Sequence, residues 1–380
     1  MKRFYIFILV LLFIGCDRSA DPSDSLSPTS ANYSGGEVKF DIISKTNTLK
    51  DVEGNFRDSG HYSLIYQAKI SENDMPLSGL NSNDFYTMFE NGTHINESKL
   101  RVTQDSKTVS NKILLLLDFS GSIISDCNDI NATEDTSNLC YQLVNSSKKF
   151  IDKIVSKNQT MSIYYFNNHT KPIPLSNNSD TTNDKALLKS SLDNLYNSSW
   201  RDTHLKGFDS TNLYGAIKVA ADEIVCDWFQ DCKRGVSSEL NGNNKKHYDF
   251  ATIVVFTDGR HTVGNNVSEG ELLSALSLYK RNYYYTIGLG NDIDDEVLRK
   301  IGKDGFLKAA QTDKLDDEFD KLGERLNSFA NSFYRIDYCP AQQTGRLDLL
   351  IDVDDSERKF YGEIKDSVDL IDELDFRCDL

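Results

Sequence analysis

The sequence predicts an α/β protein in which a doubly wound, mainly parallel sheet is inserted in, or flanked by, a small β-sandwich. Residues 113–117 and 253–256 are short apolar runs without alternation, which is typical of strands buried on both faces. Strand-like and helix-like segments alternate along this part of the chain, as they do in βα units. Before and after it, shorter segments have the alternation of strands with no helices between them.

The first apolar run ends abruptly at Asp118, within the stretch KILLLLDFSGS. Asp118 is followed by Ser120, Gly121 and Ser122. In an open parallel sheet, ligands bind in the crevice beyond the carboxyl ends of the strands. These side chains therefore lie where a ligand is expected, and their hard oxygen atoms suit Mg²⁺, Mn²⁺ or Ca²⁺.

Two further oxygen donors follow in the chain. Thr211 precedes the helical pattern of FDSTNLYGAI, and Asp258 ends the second apolar run in TIVVFTDG. The three pieces, Asp-x-Ser-x-Ser, the threonine before Asn-Leu-Tyr-Gly-Ala-Ile, and Thr-Asp-Gly, resemble the metal-ion-dependent adhesion site of the von Willebrand factor A (vWA) family. They occur in the family's order, and the resemblance covers residues 112–333.

The resemblance implies a role for each residue of the site. Ser120, Ser122 and Thr211 would give hydroxyl oxygens to one divalent ion, Mg²⁺ or else Mn²⁺ or Ca²⁺. Asp118 and Asp258 would bind the ion directly or through water molecules. A Glu or Asp carboxylate of a partner protein would take the remaining position, because only two carboxylates of this chain surround the 2+ charge.

The periodicity of the sequence predicts the remaining elements of this region. Helices are predicted at 139–155, 185–195, 213–225, 269–279, 294–301 and 315–333, and strands at 161–166, 171–175, 251–256 and 283–289, with a surface excursion at 226–249.

The chain divides into five predicted parts: a signal peptide at 1–15, a flexible tether at 16–50, sandwich strands at 51–110, the vWA domain at 111–333 and further sandwich strands at 334–380. The tether is most polar up to about residue 36. Asn91-Gly92 is a strong hairpin signal. The residues after 333 are too few for an independent core, so we expect their strands to pair with those of 51–110.

The N-terminus predicts export and lipidation. Lys2 and Arg3 precede an apolar segment that is too short to span a membrane, as in a signal peptide. Gly15-Cys16 is similar to the end of a bacterial lipobox, which implies lipidation of Cys16 and anchoring to the lipid bilayer of a bacterial cell envelope. The alternative is an ordinary signal peptide that is cut nearby.

Six cysteines remain after Cys16, and an even number in an exported chain indicates disulfides. The sequence spacing favours local pairing. The predicted pairs are Cys127–Cys140, Cys226–Cys232 and Cys339–Cys378.

The formal charge of −16 argues against a nucleic-acid partner, because phosphate backbones select basic surfaces. The six histidines are scattered, and Ser120 stands where an aspartyl-phosphate enzyme needs a second acid, so we expect no enzymatic activity. Two classes of function remain. The first is an adhesive or scaffolding protein that binds a partner's carboxylate through the metal. The second is a structural envelope lipoprotein in which the metal only stabilises the fold.

Overall fold

The computed structural model describes residues 35–370 of the 380-residue chain, with several gaps. The gaps lie at 51–55, 73–74, 95–99, 105–108, 129–137, 176–179, 206–209, 229–237, 241–245, 264–266, 280–281, 291–292, 310–313 and 339–344. Cys16 and the predicted signal peptide therefore lie outside the described residues. No helix within the described part of the chain is long and apolar enough to cross a membrane.

Fifteen strands and nine α-helices are found in the described residues. The strands are β1 (Gly36–Lys50), β2 (Phe56–Ile70), β3 (Phe85–Glu90), β4 (Thr93–His94), β5 (Leu100–Gln104), β6 (Val109–Asp118), β7 (Gln159–Phe166), β8 (Ile173–Pro174), β9 (Ser238–Leu240), β10 (Lys246–Thr257), β11 (Asn282–Leu289), β12 (Gly305–Ala309), β13 (Phe333–Tyr338), β14 (Gly345–Asp355) and β15 (Phe360–Leu370). The helices are α1 (Gly121–Asn128), α2 (Leu139–Ile154), α3 (Lys185–Asp193), α4 (Ser198–His204), α5 (Leu213–Val219), α6 (Val225–Asp227), α7 (Glu269–Leu278), α8 (Asp295–Ile301) and α9 (Leu315–Ala330).

The predicted parallel sheet is confirmed, with the order β12-β11-β10-β6-β7-β8. All neighbouring pairs in this order are parallel except β7 and β8, and β9 pairs antiparallel with β10. Numbered along the chain, these six strands follow the order 3-2-1-4-5-6 of doubly wound folds. The order in which strands are added to the sheet therefore reverses between β6 and β10, and this position is the switch point of the sheet.

The central strand β6 is buried on both faces, as its apolar run predicts. Ile113, Leu115 and Leu117 pack into a core with α1, α2, α3 and α9, whereas Leu114 and Leu116 pack into a second core with α5, α7 and α8. All five side chains are fully buried. Successive residues of a strand point to opposite faces, so one apolar run supplies both cores.

A second sheet of eight strands has the order β4-β3-β14-β15-β1-β2-β13-β5. It joins both flanking parts of the chain, since β13 pairs with β2 and β5, β14 pairs with β3, and β15 pairs with β1. In a flat sheet, β3 and β13 would lie about 24 Å apart at a spacing of about 4.8 Å per strand. The rings of Phe85 on β3 and Tyr334 on β13 are only 5.9 Å apart. The sheet therefore rolls over on itself and encloses a sandwich-like core.

Asn91 and Gly92 form the tight turn between β3 and β4, as the sequence predicts. Both residues have positive φ angles, 50° and 77°. Positive φ at both central positions is the conformation of the type I′ hairpin turn, which asparagine and glycine tolerate best.

The two sheets meet at the end of the parallel sheet where β6 and β10 begin. Their junction is an apolar cluster of buried residues: Ile65, Val109, Phe250, Phe329 and Phe333. Helix α9 ends at Ala330, and β13 starts three residues later. At this point the Ala68 N–H donates to the Ser332 carbonyl at 2.9 Å. Only two residues, Asn331 and Ser332, thus separate the last helix from the second sheet.

Four predicted boundaries are wrong. Residues 36–50 of the predicted tether form β1, because the alternation in GEVKFDII lets this segment pair along β2. The excursion at 226–249 contains β9 and the start of β10. The predicted strands of the parallel sheet end at 283–289, but β12 follows that strand and pairs with it. The final helix stops at Ala330, and Phe333 already belongs to β13.

Candidate metal centre

Asp118 and Asp258 lie at the carboxyl ends of two neighbouring strands. Leu117 of β6 is directly opposite Phe256 of β10 in the sheet. The chain leaves β6 towards β7 and leaves β10 towards β11, on the other side. The loops after these strands therefore separate and open a crevice at the point where doubly wound folds bind ligands.

The Asp118 carboxylate is completely buried. Its Oδ1 accepts a hydrogen bond from the Ser120 N–H at 3.0 Å, and its Oδ2 accepts one from the Thr257 hydroxyl at 2.6 Å. Burial and the nearby negative charge of Asp258 raise the pKa of Asp118 to about 7, against the lowering effect of these hydrogen bonds. The two acids repel one another in a site with little solvent, and a cation between them would relieve that repulsion.

The loop that carries the two serines is held by Phe119. The Phe119 N–H donates to the Phe166 carbonyl at the end of β7 at 2.7 Å. The buried Phe119 ring stacks on Tyr165 with 5.3 Å between centroids. Ser120 is buried next to Asp118, and Ser122 lies exposed in the first turn of α1. The aromatic anchor fixes the start of the loop, which leaves both hydroxyl-bearing residues at the crevice end of the sheet.

Thr211 reaches the crevice from the loop before α5. The next residue, Asn212, is buried and caps α5 by accepting the Gly215 N–H at 3.2 Å. Asn212 also donates its own N–H to the Asn167 carbonyl at 2.7 Å and its side-chain amide to the His169 carbonyl at 2.9 Å. The loop of Thr211 is thereby tied to the loop that follows β7, directly after Phe166, whose carbonyl accepts the Phe119 N–H.

Glycine is required at one of these contacts, and a second glycine lies beside Thr211. A Cβ atom on Gly215 would lie 2.5 Å from the Asn212 side chain, so the helix cap requires glycine there. A Cβ atom on Gly259 would lie 3.9 Å from the Thr211 hydroxyl oxygen. The loop after β10 therefore approaches Thr211 closely, and Asp258 and Thr211 lie on adjacent sides of the crevice.

The donor set suits a hard divalent cation. Within the described ranges, no group of three or more His, Cys, Asp or Glu residues could hold a metal ion. The candidate site has only two carboxylates, and its other donors are hydroxyl oxygens. Such oxygen donors favour Mg²⁺, Mn²⁺ or Ca²⁺ over softer metals. The residues present fit the metal that the sequence predicts: Asp118, Ser120, Ser122, Thr211 and Asp258 would hold it.

The sequence did not predict two residues that shape this site. Thr257 donates to Asp118 and accepts the Gly259 N–H at 3.2 Å, so its hydroxyl links the two strand ends. Asn212 links Thr211 to the neighbouring loop. An asparagine directly before a helical pattern is a capping signal, and this signal could have identified Asn212.

One predicted disulfide is confirmed: Cys127 of α1 is bonded to Cys140 of α2. Cys226 is also disulfide-bonded, and its predicted partner Cys232 lies outside the described residues. Cys339 and Cys378 lie outside them as well. The confirmed bond joins the helix that carries Ser122 to the next helix of the same core.

Comparison with known protein families and with curated proteins finds no match. Solved structures give several similarities. A von Willebrand factor type A protein from Catenulispora acidiphila has 10% identity and a TM-score of 0.41 over 90% of this chain and 76% of its own. Proximal thread matrix protein 1 from the mussel byssus, with a zinc-occupied MIDAS motif, has 15% identity and a TM-score of 0.39 over 63% of this chain. BatB from Bacteroides thetaiotaomicron has 14% identity and a TM-score of 0.39 over 59% of this chain and 100% of its own.

The chain spans about half the length of the byssal protein that it matches. The strand order and the three loops of this chain define the candidate site. The inserted unit has a doubly wound α/β architecture, and its predicted metal-binding loops meet at the switch point of the sheet.

Proposed function

We propose that this protein is a divalent-metal-dependent binding protein of the bacterial cell envelope, with an adhesive or scaffolding role. The metal is held by Asp118, Ser120, Ser122, Thr211 and Asp258. When bound, it supplies an open coordination position for a Glu or Asp carboxylate of a partner protein. Mg²⁺ is the proposed ion, and Mn²⁺ or Ca²⁺ are the alternatives.

The observation that supports this proposal best is the environment of Asp118. A fully buried carboxylate lies next to a second acid and has hydroxyl groups around it. A site of this kind is costly without a compensating cation. With two carboxylates against a 2+ charge, an additional anionic ligand remains electrostatically favourable.

We also propose that the role is binding rather than catalysis. Two of the histidines have partners other than the serines of the site: His261 stacks on Tyr214, and His204 stacks on Trp200. A serine nucleophile would need a histidine base within hydrogen-bonding distance.

The envelope location depends on the N-terminal sequence. Lipidation at Cys16 would anchor the protein to the bilayer, and the polar segment after it would hold the folded units away from the membrane. Radioactive palmitate labelling of the wild-type chain expressed in a bacterium, with Cys16→Ser as the control, tests the anchor. Loss of label in Cys16→Ser supports it, and equal labelling contradicts it.

The central test measures partner capture from detergent-solubilised envelope in Mg²⁺ and in EDTA. We expect capture by the wild-type protein in Mg²⁺ only, and none by Asp118→Ala in either condition. The alternative function, in which the metal only stabilises the fold, predicts that EDTA lowers the melting temperature while capture persists. Capture that survives both EDTA and Asp118→Ala would contradict the adhesive role.

A further inference from the structure

The loop after β10 does more than present Asp258. Its later residues form a reciprocal pair of hydrogen bonds with the main chain of Thr211. The Thr211 N–H donates to the Thr262 hydroxyl oxygen at 2.8 Å, and the Thr262 N–H donates to the Thr211 carbonyl at 3.0 Å. The Val263 N–H also approaches that carbonyl at 3.4 Å. Both main-chain polar groups of Thr211, a candidate metal ligand, are thus hydrogen-bonded to the short segment of Thr262 and Val263.

The neighbouring residues strengthen the same connection. The His261 ring stacks on the Tyr214 ring with 4.1 Å between centroids and 15° between planes. The Tyr214 N–H, in the first turn of α5, lies 3.5 Å from His261 Nδ1. The segment 261–263 therefore lies along the segment 211–214, with polar contacts at one end and stacked rings at the other.

We propose that Thr262 is a positioning residue for the metal site, which acts through Thr211. This inference rests on the proposed function, because it concerns the same ion. The Thr262 side chain is exposed and is not one of the five candidate ligands. Its oxygen fixes the peptide plane on the N-terminal side of Thr211, and the β-branched Thr211 side chain has few rotamers once its backbone is fixed. Thr262 thereby sets where the Thr211 hydroxyl points.

The geometry of the ion makes such positioning important. Mg²⁺ requires nearly ideal octahedral geometry with short metal–oxygen distances. Groups that orient a ligand typically change metal affinity by about 10–100-fold when they are removed. We expect the lower end of this range for Thr262, because the main-chain bonds from Thr262 and Val263 to the Thr211 carbonyl would remain.

Three variants of the full chain, purified in mild detergent, test the proposal by calorimetric titration with Mg²⁺ and Mn²⁺. Thr262→Val keeps the side-chain shape and removes the oxygen, and Thr262→Ser keeps the oxygen. Thr182→Val is the matched control, since the Thr182 hydroxyl accepts the Asp184 main-chain N–H at 3.1 Å. Thr182 pairs with Met161 near the start of β7, away from the carboxyl ends of the strands.

We expect Thr262→Val to lower Mg²⁺ affinity about tenfold, and Thr262→Ser and Thr182→Val to bind like the wild type. In EDTA, Thr262→Val and Thr182→Val should lower the melting temperature by similar amounts, because each loses one hydrogen bond from a main-chain N–H. Equal affinity of Thr262→Val and the wild type would overturn the positioning role alone. So would a loss in Thr262→Ser or Thr182→Val as large as that in Thr262→Val. Absence of ion uptake by the wild-type protein would overturn the proposed function and this inference together.

Discussion

The two ends of the parallel sheet are built from opposite kinds of residues. The carboxyl end has two neighbouring acids and several hydroxyl groups, with Asp118 fully buried. The other end has the junction cluster of Ile65, Val109, Phe250, Phe329 and Phe333. Burial of apolar surface stabilises the fold, whereas burial of a charge opposes it unless a counter-charge is present. The candidate binding end therefore lowers the stability of the fold, and apolar burial at the junction end offsets that loss.

The largest expected effect is at the junction end. Phe329 is buried, and its ring lies 4.4 Å from Tyr283, 5.3 Å from Phe333 and 5.5 Å from Phe250, measured between centroids. Phe329→Ala should lower the free energy of unfolding by about 3–5 kcal/mol, because it leaves a cavity among these rings. Urea denaturation measures this change.

Phe329→Leu is the control, and it should cost less because it fills more of the same space. Mg²⁺ affinity of the folded Phe329→Ala protein should equal that of the wild type. A loss of Mg²⁺ affinity without a loss of stability would contradict the separate roles of the two ends, since it would mean that the junction acts on the metal site.

The disulfide shows how the binding end obtains part of its stability by covalent means. Cys127→Ala combined with Cys140→Ala opens a loop with a sequence separation of 13. The double variant should lower the free energy of unfolding by about 3 kcal/mol, because the unfolded chain gains entropy when the loop is opened. Urea denaturation of the double variant without reductant leaves the Cys226 disulfide intact. A change of less than about 1 kcal/mol would show that packing, rather than the bond, holds α1 to α2.

Asp118 should lower stability when no metal is present. At pH 8 and in EDTA, Asp118→Asn should raise the free energy of unfolding by about 2 kcal/mol, because it removes a buried charge next to Asp258. The matched variant is Asp355→Asn, which changes a buried acid that is ion-paired with Arg358. It should lower stability by about 1–3 kcal/mol. If both variants changed the free energy of unfolding in the same direction, this would contradict the view that the Asp118 charge has no counter-charge in EDTA.

The smallest expected effect is a dependence on pH. The folded-state pKa of Asp118 is raised to about 7, so its protonated form stabilises the folded state at low pH. That contribution is lost as the pH rises through about 7, and the same rise produces the carboxylate that a metal requires. The increase in melting temperature on adding Mg²⁺ should therefore be larger at pH 8 than at pH 5. Asp118→Asn should remove this difference, and an equal increase at both pH values in the wild type would contradict it.

Several elements could be predicted from the sequence because their signals are local. The unbroken apolar run of β6, the helical pattern of α5 and the Asn91-Gly92 turn all depend on neighbouring residues. The strand β1 and the edge strand β12 were missed. β1 has a local alternation signal in GEVKFDII, but the polar tether was predicted to continue through it. β12 has only five residues, and it is stabilised mainly by pairing with β11.

By itself, the sequence determined which oxygen-bearing residues follow the two buried strands, and that the insert is a doubly wound sheet. Periodicity and residue chemistry are properties of the local sequence, and they can be read without knowing which distant residues pack against it. The tertiary structure was needed to show that the eight-stranded sheet rolls over so that β3 and β13 pack against each other. It was also needed to show that Thr262 binds the main chain of Thr211. Those contacts join residues far apart in the chain, and their geometry depends on how the loops and sheets pack.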